Sequence, residues 1–191
     1  MGDLIPEELT AMGAQGAVIE KAREAVTVIL EQNNSCSAWL RQKDSDPAAS
    51  FRRIHFRIDE NGQKYAQKLQ AKNGAWFYLE PYAANVIQKA NPPVWITLNS
   101  GGAFFKSAAA MRSFYNDGTP AGIVTAKRLN IEIYTGASLE AQIIILLHEL
   151  AHVLDVIPPD GAAANMELSA KNTVQVLHFC RAQVESAAKK K

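Results

Sequence analysis

The chain lacks the features that mark several large classes of protein. Only 2 of its 191 residues are cysteine and no C-x-x-C spacing occurs, so neither a cysteine-rich disulfide scaffold nor a cysteine-based zinc finger fits. Its formal net charge is +1, which gives no reason to expect a nucleic-acid partner. The longest strongly apolar run, at 141–147, is far shorter than the about 20 residues of a membrane-spanning helix, so no membrane span is predicted.

Signals for export and for repetition are also missing. Met1, Gly2 and Asp3 show neither a basic start nor an apolar stretch, so we expect that any signal peptide has been removed. No internal repeat or low-complexity block occurs. With 48% hydrophobic residues, the sequence predicts one domain over residues 1–191 with a single core, and flexible tails at 1–16 and 186–191.

His148, Glu149 and His152 form an H-E-x-x-H motif, which is the strongest chemical signal in the chain. Residues i and i+4 of a helix project from the same face, so the two imidazoles can hold one metal ion. Only 4 histidines occur in the chain, and two of them are here. The carboxylate of Glu149 is placed to reach a metal-bound water without being a ligand. The pattern indicates Zn²⁺ with an open coordination position, which lowers the pKa of bound water to about 7, and it favours hydrolysis, most of all of a peptide bond.

The motif lies in a segment, 138–156, that has the marks of a buried helix. Ser138 is a good N-cap, Glu140 favours the positive helix N-terminus, and the first helix-breaking residue is Pro158. The side chains are apolar nearly all round, which is typical of a helix inside a core. Two imidazoles and a carboxylate in such a helix are costly unless a metal ion or hydrogen bonds satisfy them. The alternative interpretation is a pair of core histidines with ordinary hydrogen bonds.

At His148, Glu149 and His152 the chain resembles the zincin metallopeptidases. A looser likeness is to small, uncharacterised bacterial secreted proteins with H-E-L-x-H followed by an Asp, an Asn and a late Cys. The zincin resemblance implies a zincin-like domain in which the two histidines bind zinc, and in which the glutamate acts as general base and then carries the proton to the leaving amine. The expected function is a zinc-dependent endopeptidase acting on a peptide or protein substrate. The alternative is a non-catalytic zinc-binding or partner-recognition protein derived from a metallopeptidase fold, whose site would be closed by a fourth protein ligand.

A catalytic zinc ion usually has three protein ligands and a water, so a third ligand is needed. The metzincin pattern fails here, because Asp155 replaces its Gly and Pro158 replaces its third His. We expect Asp160 to be the third ligand, since Pro158 and Pro159 end the helix and stiffen the chain as it turns back. Some zincin clans use an aspartate as third ligand, and the resemblance implies the same role here.

Other residues compete with this aspartate or assist it. Glu167, on the next predicted helix, is the alternative third ligand, and His178 ranks behind it. Each also has a plainer interpretation, as a solvated or packed helix residue. The residues that can orient a ligand through hydrogen bonds, or that are ordinary surface residues, are Asp155, Ser169 and Asn172.

A substrate-binding strand is expected just before the motif helix. Residues 129–135 alternate between apolar and polar side chains, which predicts a strand. In zincins an edge strand near the motif helix binds extended substrate by backbone pairing. The resemblance therefore implies that substrate is bound by Ile131, Glu132, Ile133, Tyr134 and Thr135. Tyr134 is a candidate for stabilising the oxyanion, although a strand tyrosine is more often a packing residue.

Cys36 and Cys180 lie near opposite ends of the chain. A bridge between them would tie the N-terminal segment to the last helix and, for so long a loop, stabilise the fold by about 4–5 kcal/mol in the chain-entropy model. A bridge favours an oxidising compartment, and the metallopeptidase resemblance also implies a secreted or periplasmic protein. The alternative is two buried thiols in a cytoplasmic protein.

Hydrophobic periodicity predicts an α+β fold, rich in helices, with a small mixed sheet of about three or four strands. Helices are predicted over 17–32, 36–41, 46–58, 63–72, 138–156 and 165–184. Strands are predicted over 94–98, 123–125 and 129–135, and 75–79 is a strand or a loop. The helix at 46–58 would carry a basic face, solvated or substrate-binding, made of Arg52, Arg53, His55 and Arg57.

Overall fold

The structure is a computed structural model that describes residues 5–62, 64–71, 74–86, 92–115, 117–160 and 166–189. It has the α+β architecture that the sequence predicts. The helices are α1 (Ile5–Ala11), α2 (Gly13–Glu31), α3 (Ser35–Leu40), α4 (Pro47–Arg52), α5 (Leu139–Val153) and α6 (Met166–Lys189). The strands are β1 (His55–Asp59), β2 (Lys64–Ala71), β3 (Gly74–Pro81), β4 (Ala84–Val86), β5 (Trp95–Asn99), β6 (Ala108–Tyr115), β7 (Pro120–Arg128), β8 (Asn130–Ile131) and β9 (Tyr134–Thr135).

Three of these strands form a mixed sheet beside the motif helix, in the order β1-β5-β4. β5 is central, parallel to β1 and antiparallel to β4, so β4 is an edge strand. The β-branched and aromatic residues of β5 favour a strand, and Ile96 and Leu98 are fully buried. The strand predicted over 94–98 is therefore confirmed, and α5 contacts this sheet through β4.

A second, antiparallel sheet has the order β2-β3-β6-β7, and β8 pairs with β9 in a small hairpin. The helix predicted over 63–72 is wrong, because Lys64–Ala71 is β2 and pairs along its whole length with β3. The prediction depended on Tyr65 and Leu69, whose i, i+4 spacing falls on one face of a helix and equally on one face of a strand. Residues 75–79 lie in β3 and 123–125 lie in β7. The mixed sheet has three strands, as predicted, and the antiparallel sheet and the hairpin are additional to it.

Helix α4 begins as predicted but ends well before residue 58. Asp46 caps it by accepting a hydrogen bond from the N–H of Ala49 at 2.9 Å, and Pro47 is its first residue. After Arg52 the chain leaves the helix, and His55–Asp59 pairs with β5 instead. Pairing with a strand that is distant in sequence overrides the local helical pattern.

The basic face expected on that helix does not form. Arg52 pairs with Glu31 of α2, and Nδ1 of His55 lies 3.0 Å from Oε2 of Glu8 on α1. Arg57 donates from Nε to a threonine hydroxyl of β5 at 2.7 Å. These side chains contact three different elements, so they make no common basic surface.

The N-terminal helices pack against the motif helix. α2 covers most of the helix predicted over 17–32, and it contacts α5. Residues 5–16, expected to be a flexible tail, are almost entirely helical, and Leu9 of α1 is buried. A Cβ on Gly16 would lie 1.7 Å from the carbonyl oxygen of Leu9, so glycine permits the close approach of α1 and α2. α6 begins at Met166, as predicted, and continues to Lys189, so most of the second expected tail is helical too.

Cys36 and Cys180 form a disulfide that joins α3 to α6, which confirms the predicted pair. The ring of Trp39 stacks on Phe179 with 4.9 Å between centroids, and Ser35 donates to the carbonyl of Phe179 at 2.6 Å. These contacts fix the position of α6 relative to the N-terminal helices. A disulfide is consistent with the oxidising compartment that the sequence predicts. Every helix in the described part of the chain is too short or too polar to span a membrane.

Candidate metal centre

Helix α5 carries the motif into the core. Ser138 caps it, as predicted, by accepting a hydrogen bond from the N–H of Ala141 at 3.2 Å. Every residue from Ala141 to His152 is buried, so the apolar sequence predicted the surroundings of the helix correctly. His148, Glu149 and His152 are among these buried residues.

Two imidazoles and one carboxylate converge at the end of α5. The Nε2 atoms of His148 and His152 lie 3.0 Å apart. Oδ2 of Asp160 lies 3.0 Å from Nε2 of His148, and Oδ1 lies 3.1 Å from Nε2 of His152. Tetrahedral zinc with bonds of about 2.0 Å keeps its ligand atoms about 3.3 Å apart, so the three residues fit a zinc ion after a small expansion of the cluster. The group can hold a metal ion, and its donor atoms are those that Zn²⁺ prefers.

A tight turn brings Asp160 back to the helix. Asp155 has φ 54°, the left-handed conformation that often ends a helix and that Asp tolerates better than most residues. The N–H of Val156 then donates to the carbonyl of Ala151 at 2.9 Å, which closes the turn. Ile157 is buried against the core and is followed by the two prolines. Asp155 thus adopts the backbone conformation that a glycine would otherwise supply, and its own side chain is outside the metal cluster.

Helix α6 supports two of the three ligands. Nδ2 of Asn172 donates to the carbonyl of Pro158 at 3.0 Å and lies 3.3 Å from Oδ2 of Asp160. Oγ1 of Thr173 lies 3.1 Å from Nδ1 of His148 and donates to the carbonyl of Ser169 at 3.0 Å. Asn172 therefore takes the orienting position that the sequence predicts. Ser169 contributes its carbonyl rather than its hydroxyl.

Thr173 was missed by the sequence analysis. It sits one turn after Ser169, next to Asn172, on the side of α6 that packs on α5. A usable signal was present, because Asn172 and Thr173 lie on the same side of α6 as the buried Val176 and Cys180. Polar side chains on the core side of a helix need partners, and here the partners are the metal-site residues.

Glu149 is buried beside the cluster and accepts a hydrogen bond from the backbone N–H of Val86 in β4. Burial and then the nearby charge of Asp160 raise the pKa of Glu149 to about 8, and the bond from Val86 opposes that rise. Strand β4 could not be recognised from sequence, since three residues with Asn85 at the centre carry too little hydrophobic pattern. The edge strand of the mixed sheet thus touches the motif helix at the residue that the resemblance names as general base.

The ligand set has a favourable protonation state for binding a cation. Burial lowers the pKa of the His148 imidazole, although the hydrogen bond to Asp160 opposes this, so the neutral form is favoured. Burial tends to raise the pKa of Asp160, but hydrogen bonding with His148 and His152 outweighs it and holds that pKa well below its usual range. A neutral imidazole and an ionised carboxylate are the forms that bind metals.

The competing ligands lie elsewhere. The Glu167 side chain is 83% exposed and pairs with Lys171 at 2.8 Å. His178 is exposed and packs its ring edge-on against Phe179. Within the described ranges, the metal-binding group is completed by Asp160 alone.

The prediction of one continuous strand over 129–135 is wrong. Residues Asn130–Ile131 and Tyr134–Thr135 pair with each other, and Glu132, with φ 52°, and the exposed Ile133 form the turn between them. The two-residue strands of this hairpin do not provide the continuous extended edge over 131–135 that the sequence predicts for binding a peptide.

Tyr134, the oxyanion candidate, makes a different contact. Its hydroxyl donates to Oε1 of Glu185 on α6 at 3.0 Å. Burial and this carboxylate raise the pKa of Tyr134 to about 12. This favours the plainer interpretation of Tyr134 as a packing residue that joins the hairpin to α6.

Comparisons with family models, with curated proteins and with solved structures found no match. The likeness to zincins rests on the motif at His148, Glu149 and His152. These three residues and Asp160 form the site from which a function can be inferred.

Proposed function

We propose that the protein is a zinc-dependent metallopeptidase in which His148, His152 and Asp160 hold the metal and Glu149 is the general base. The observation that carries the proposal is the convergence of three ligand residues, whose imidazole nitrogens and carboxylate oxygens lie 3.0–3.1 Å apart, next to a buried carboxyl group of helix α5. Ordinary core histidines would not need an ionised aspartate brought back by a proline-stiffened turn.

The residues of the site have complementary roles. A bound Zn²⁺ supplies Lewis acidity and lowers the pKa of a coordinated water. Glu149 has a pKa of about 8 in the metal-free site, and a carboxyl group in its position can accept a proton and later return it to a leaving amine. The N–H of Val86 limits the orientations of this carboxyl group. Positive charge at the ligand cluster would favour its ionised, basic form.

Strand β4 supports a peptide as the substrate class. In the described part of the chain β4 pairs with β5 only, and on its other edge the N–H of Val86 donates to Glu149, so an extended segment could pair with the rest of that edge. A peptide backbone added at that edge would lie beside Val86, and hence beside Glu149. This edge replaces residues 131–135 as the proposed substrate-binding strand.

The non-catalytic alternative is less well supported. A structural zinc site is normally closed by four protein ligands. Here the described residues provide three, and the two nearest competitors, Glu167 and His178, lie outside the cluster. An open coordination position favours catalysis over a structural role.

The test is to compare zinc content and cleavage of casein and of a mixed peptide library by the wild type and Glu149→Gln. We expect both proteins to bind zinc, and we expect cleavage to fall by at least about 100-fold in the variant, since general-base catalysis contributes roughly that much or more. Glu140→Gln, in the first turn of the same helix, is the matched control and should cleave like the wild type. Equal cleavage by Glu149→Gln would show that the mechanism is wrong, and a wild type that binds no zinc would reject the metal centre.

A further inference from the structure

We infer that Thr173 is a positioning residue that sets the tautomer of His148, so that Nε2 presents a lone pair to the metal. This inference rests on the proposed zinc site and names a determinant of its affinity. Thr173 lies on α6, remote in sequence from the motif, and its hydroxyl is the atom next to Nδ1 of His148, at 3.1 Å.

The direction of the hydrogen bonds follows from the single proton of the hydroxyl group. Thr173 donates that proton to the carbonyl of Ser169 at 3.0 Å. A hydroxyl that has donated its proton can only accept from a further neighbour. Because the Thr173 hydroxyl has its own acceptor in the carbonyl of Ser169, it favours the tautomer in which Nδ1 of His148 carries the hydrogen and donates it to Thr173. A neutral imidazole protonated at Nδ1 has its lone pair on Nε2, the atom that faces His152 and Asp160.

The second histidine shows why this contact matters. Nδ1 of His152 is buried and has no hydrogen-bond partner among the described residues. The ring of His152 is therefore oriented only by packing and by the contacts of its Nε2 atom. Of the two motif imidazoles, only His148 has its Nδ1 atom next to a side-chain hydrogen-bonding group among the described residues. Thr173 is therefore the residue that most strongly sets a histidine tautomer in the site.

The experiment measures zinc affinity by competition with a chromophoric chelator for the wild type, Thr173→Val and Thr173→Ser. Valine keeps the shape of the side chain and removes the hydroxyl, and we expect it to weaken zinc binding by about 10- to 100-fold. Serine keeps the hydroxyl and should bind within about threefold of the wild type. Long-range ¹H–¹⁵N spectra of the zinc-loaded wild type should show His148 protonated at Nδ1.

Thr27 supplies a matched control. Its hydroxyl donates to the carbonyl of Arg23 at 2.9 Å, which is the same contact with the residue one turn earlier in a helix, and Thr27 makes no hydrogen bond to a histidine among the described residues. Thr27→Val should leave zinc affinity unchanged, and thermal unfolding of the metal-free proteins should show that both valine variants fold. Unchanged zinc affinity in Thr173→Val, or a hydrogen on Nε2 of His148 in the zinc-loaded protein, would overturn the inference while leaving the zinc site intact. A wild type that binds no zinc would reject the proposed function itself.

Discussion

The candidate metal centre is built from two regions that differ in how the sequence encodes them. The first is continuous, since α5 and the turn to Asp160 supply all three ligand atoms from residues 148–160. The second is assembled from distant segments, with Val86 from β4 and Asn172 and Thr173 from α6. The continuous region determines which atoms can bind a cation. The assembled region determines how those atoms are oriented and which of them carry protons.

The largest effect is expected from releasing α6, which belongs to the assembled region. The disulfide joins residues 144 apart, and in the chain-entropy model a loop of that length stabilises the fold by about 5 kcal/mol, or less if strained. We expect the double variant Cys36→Ala, Cys180→Ala to lose most of that free energy of unfolding in zinc-free buffer, measured by urea denaturation. Its zinc affinity should also fall, because α6 positions Asn172 and Thr173.

Two results would contradict this comparison. If the double variant unfolds at the same urea concentration as the wild type, the disulfide does not hold α6. If it is destabilised but binds zinc with wild-type affinity at a temperature where it is folded, the position of α6 does not depend on the bridge. The stacking of Trp39 on Phe179 would then be sufficient to hold the helix.

A smaller effect, confined to the continuous region, is expected from removing the third ligand. Asp160→Asn keeps the shape of the side chain but loses its charge, and we expect zinc affinity to fall by more than about 100-fold, since even residues that only support a ligand contribute 10- to 100-fold. Glu167→Gln is the control, because the Glu167 side chain is exposed and pairs with Lys171. Full retention of zinc by Asp160→Asn together with loss in Glu167→Gln would assign the third ligand to Glu167.

The same division explains what could be predicted from sequence. The buried helix, its Ser138 cap, the convergence of His148 and His152, and the return of Asp160 all depend on short-range rules of helix geometry and proline stiffness. The disulfide was also predictable, since the chain has only 2 cysteines. Each of these features either involves residues that are close together in the sequence or, like the disulfide, allows only one pairing.

The features that were missed depend on long-range pairing. β2 was predicted as a helix because Tyr65 and Leu69 satisfy both periods, and only its partner β3 decides between them. The 129–135 strand folds back on itself because Glu132 adopts a left-handed conformation, which no local pattern around a glutamate predicts. Val86 reaches Glu149 only because β4 pairs with β5, and a three-residue strand carries too little pattern to be recognised.

The smallest predicted effect is the release of a proton from Glu149 when zinc binds, and it depends on residues of both regions. Glu149 belongs to the motif, but its pKa of about 8 is set by burial, by Asp160 and by Val86. At pH 7 about nine in ten metal-free molecules would carry a proton on Glu149. A cation bound beside it favours the ionised form, so zinc binding should release about one proton from this group at pH 7. Zinc affinity should accordingly rise with pH until it passes about pH 8, where Glu149 is already ionised in the metal-free protein.

Calorimetry in buffers of different ionisation enthalpy counts the released protons directly. Glu149→Gln should release about one proton fewer than the wild type at pH 7, and the difference should shrink to near zero at about pH 9.5. A constant difference across that range would mean that the deficit does not come from a carboxyl group with a raised pKa. No difference at pH 7 would mean that Glu149 is already ionised without metal, and that burial and the charge of Asp160 do not raise its pKa above neutral pH.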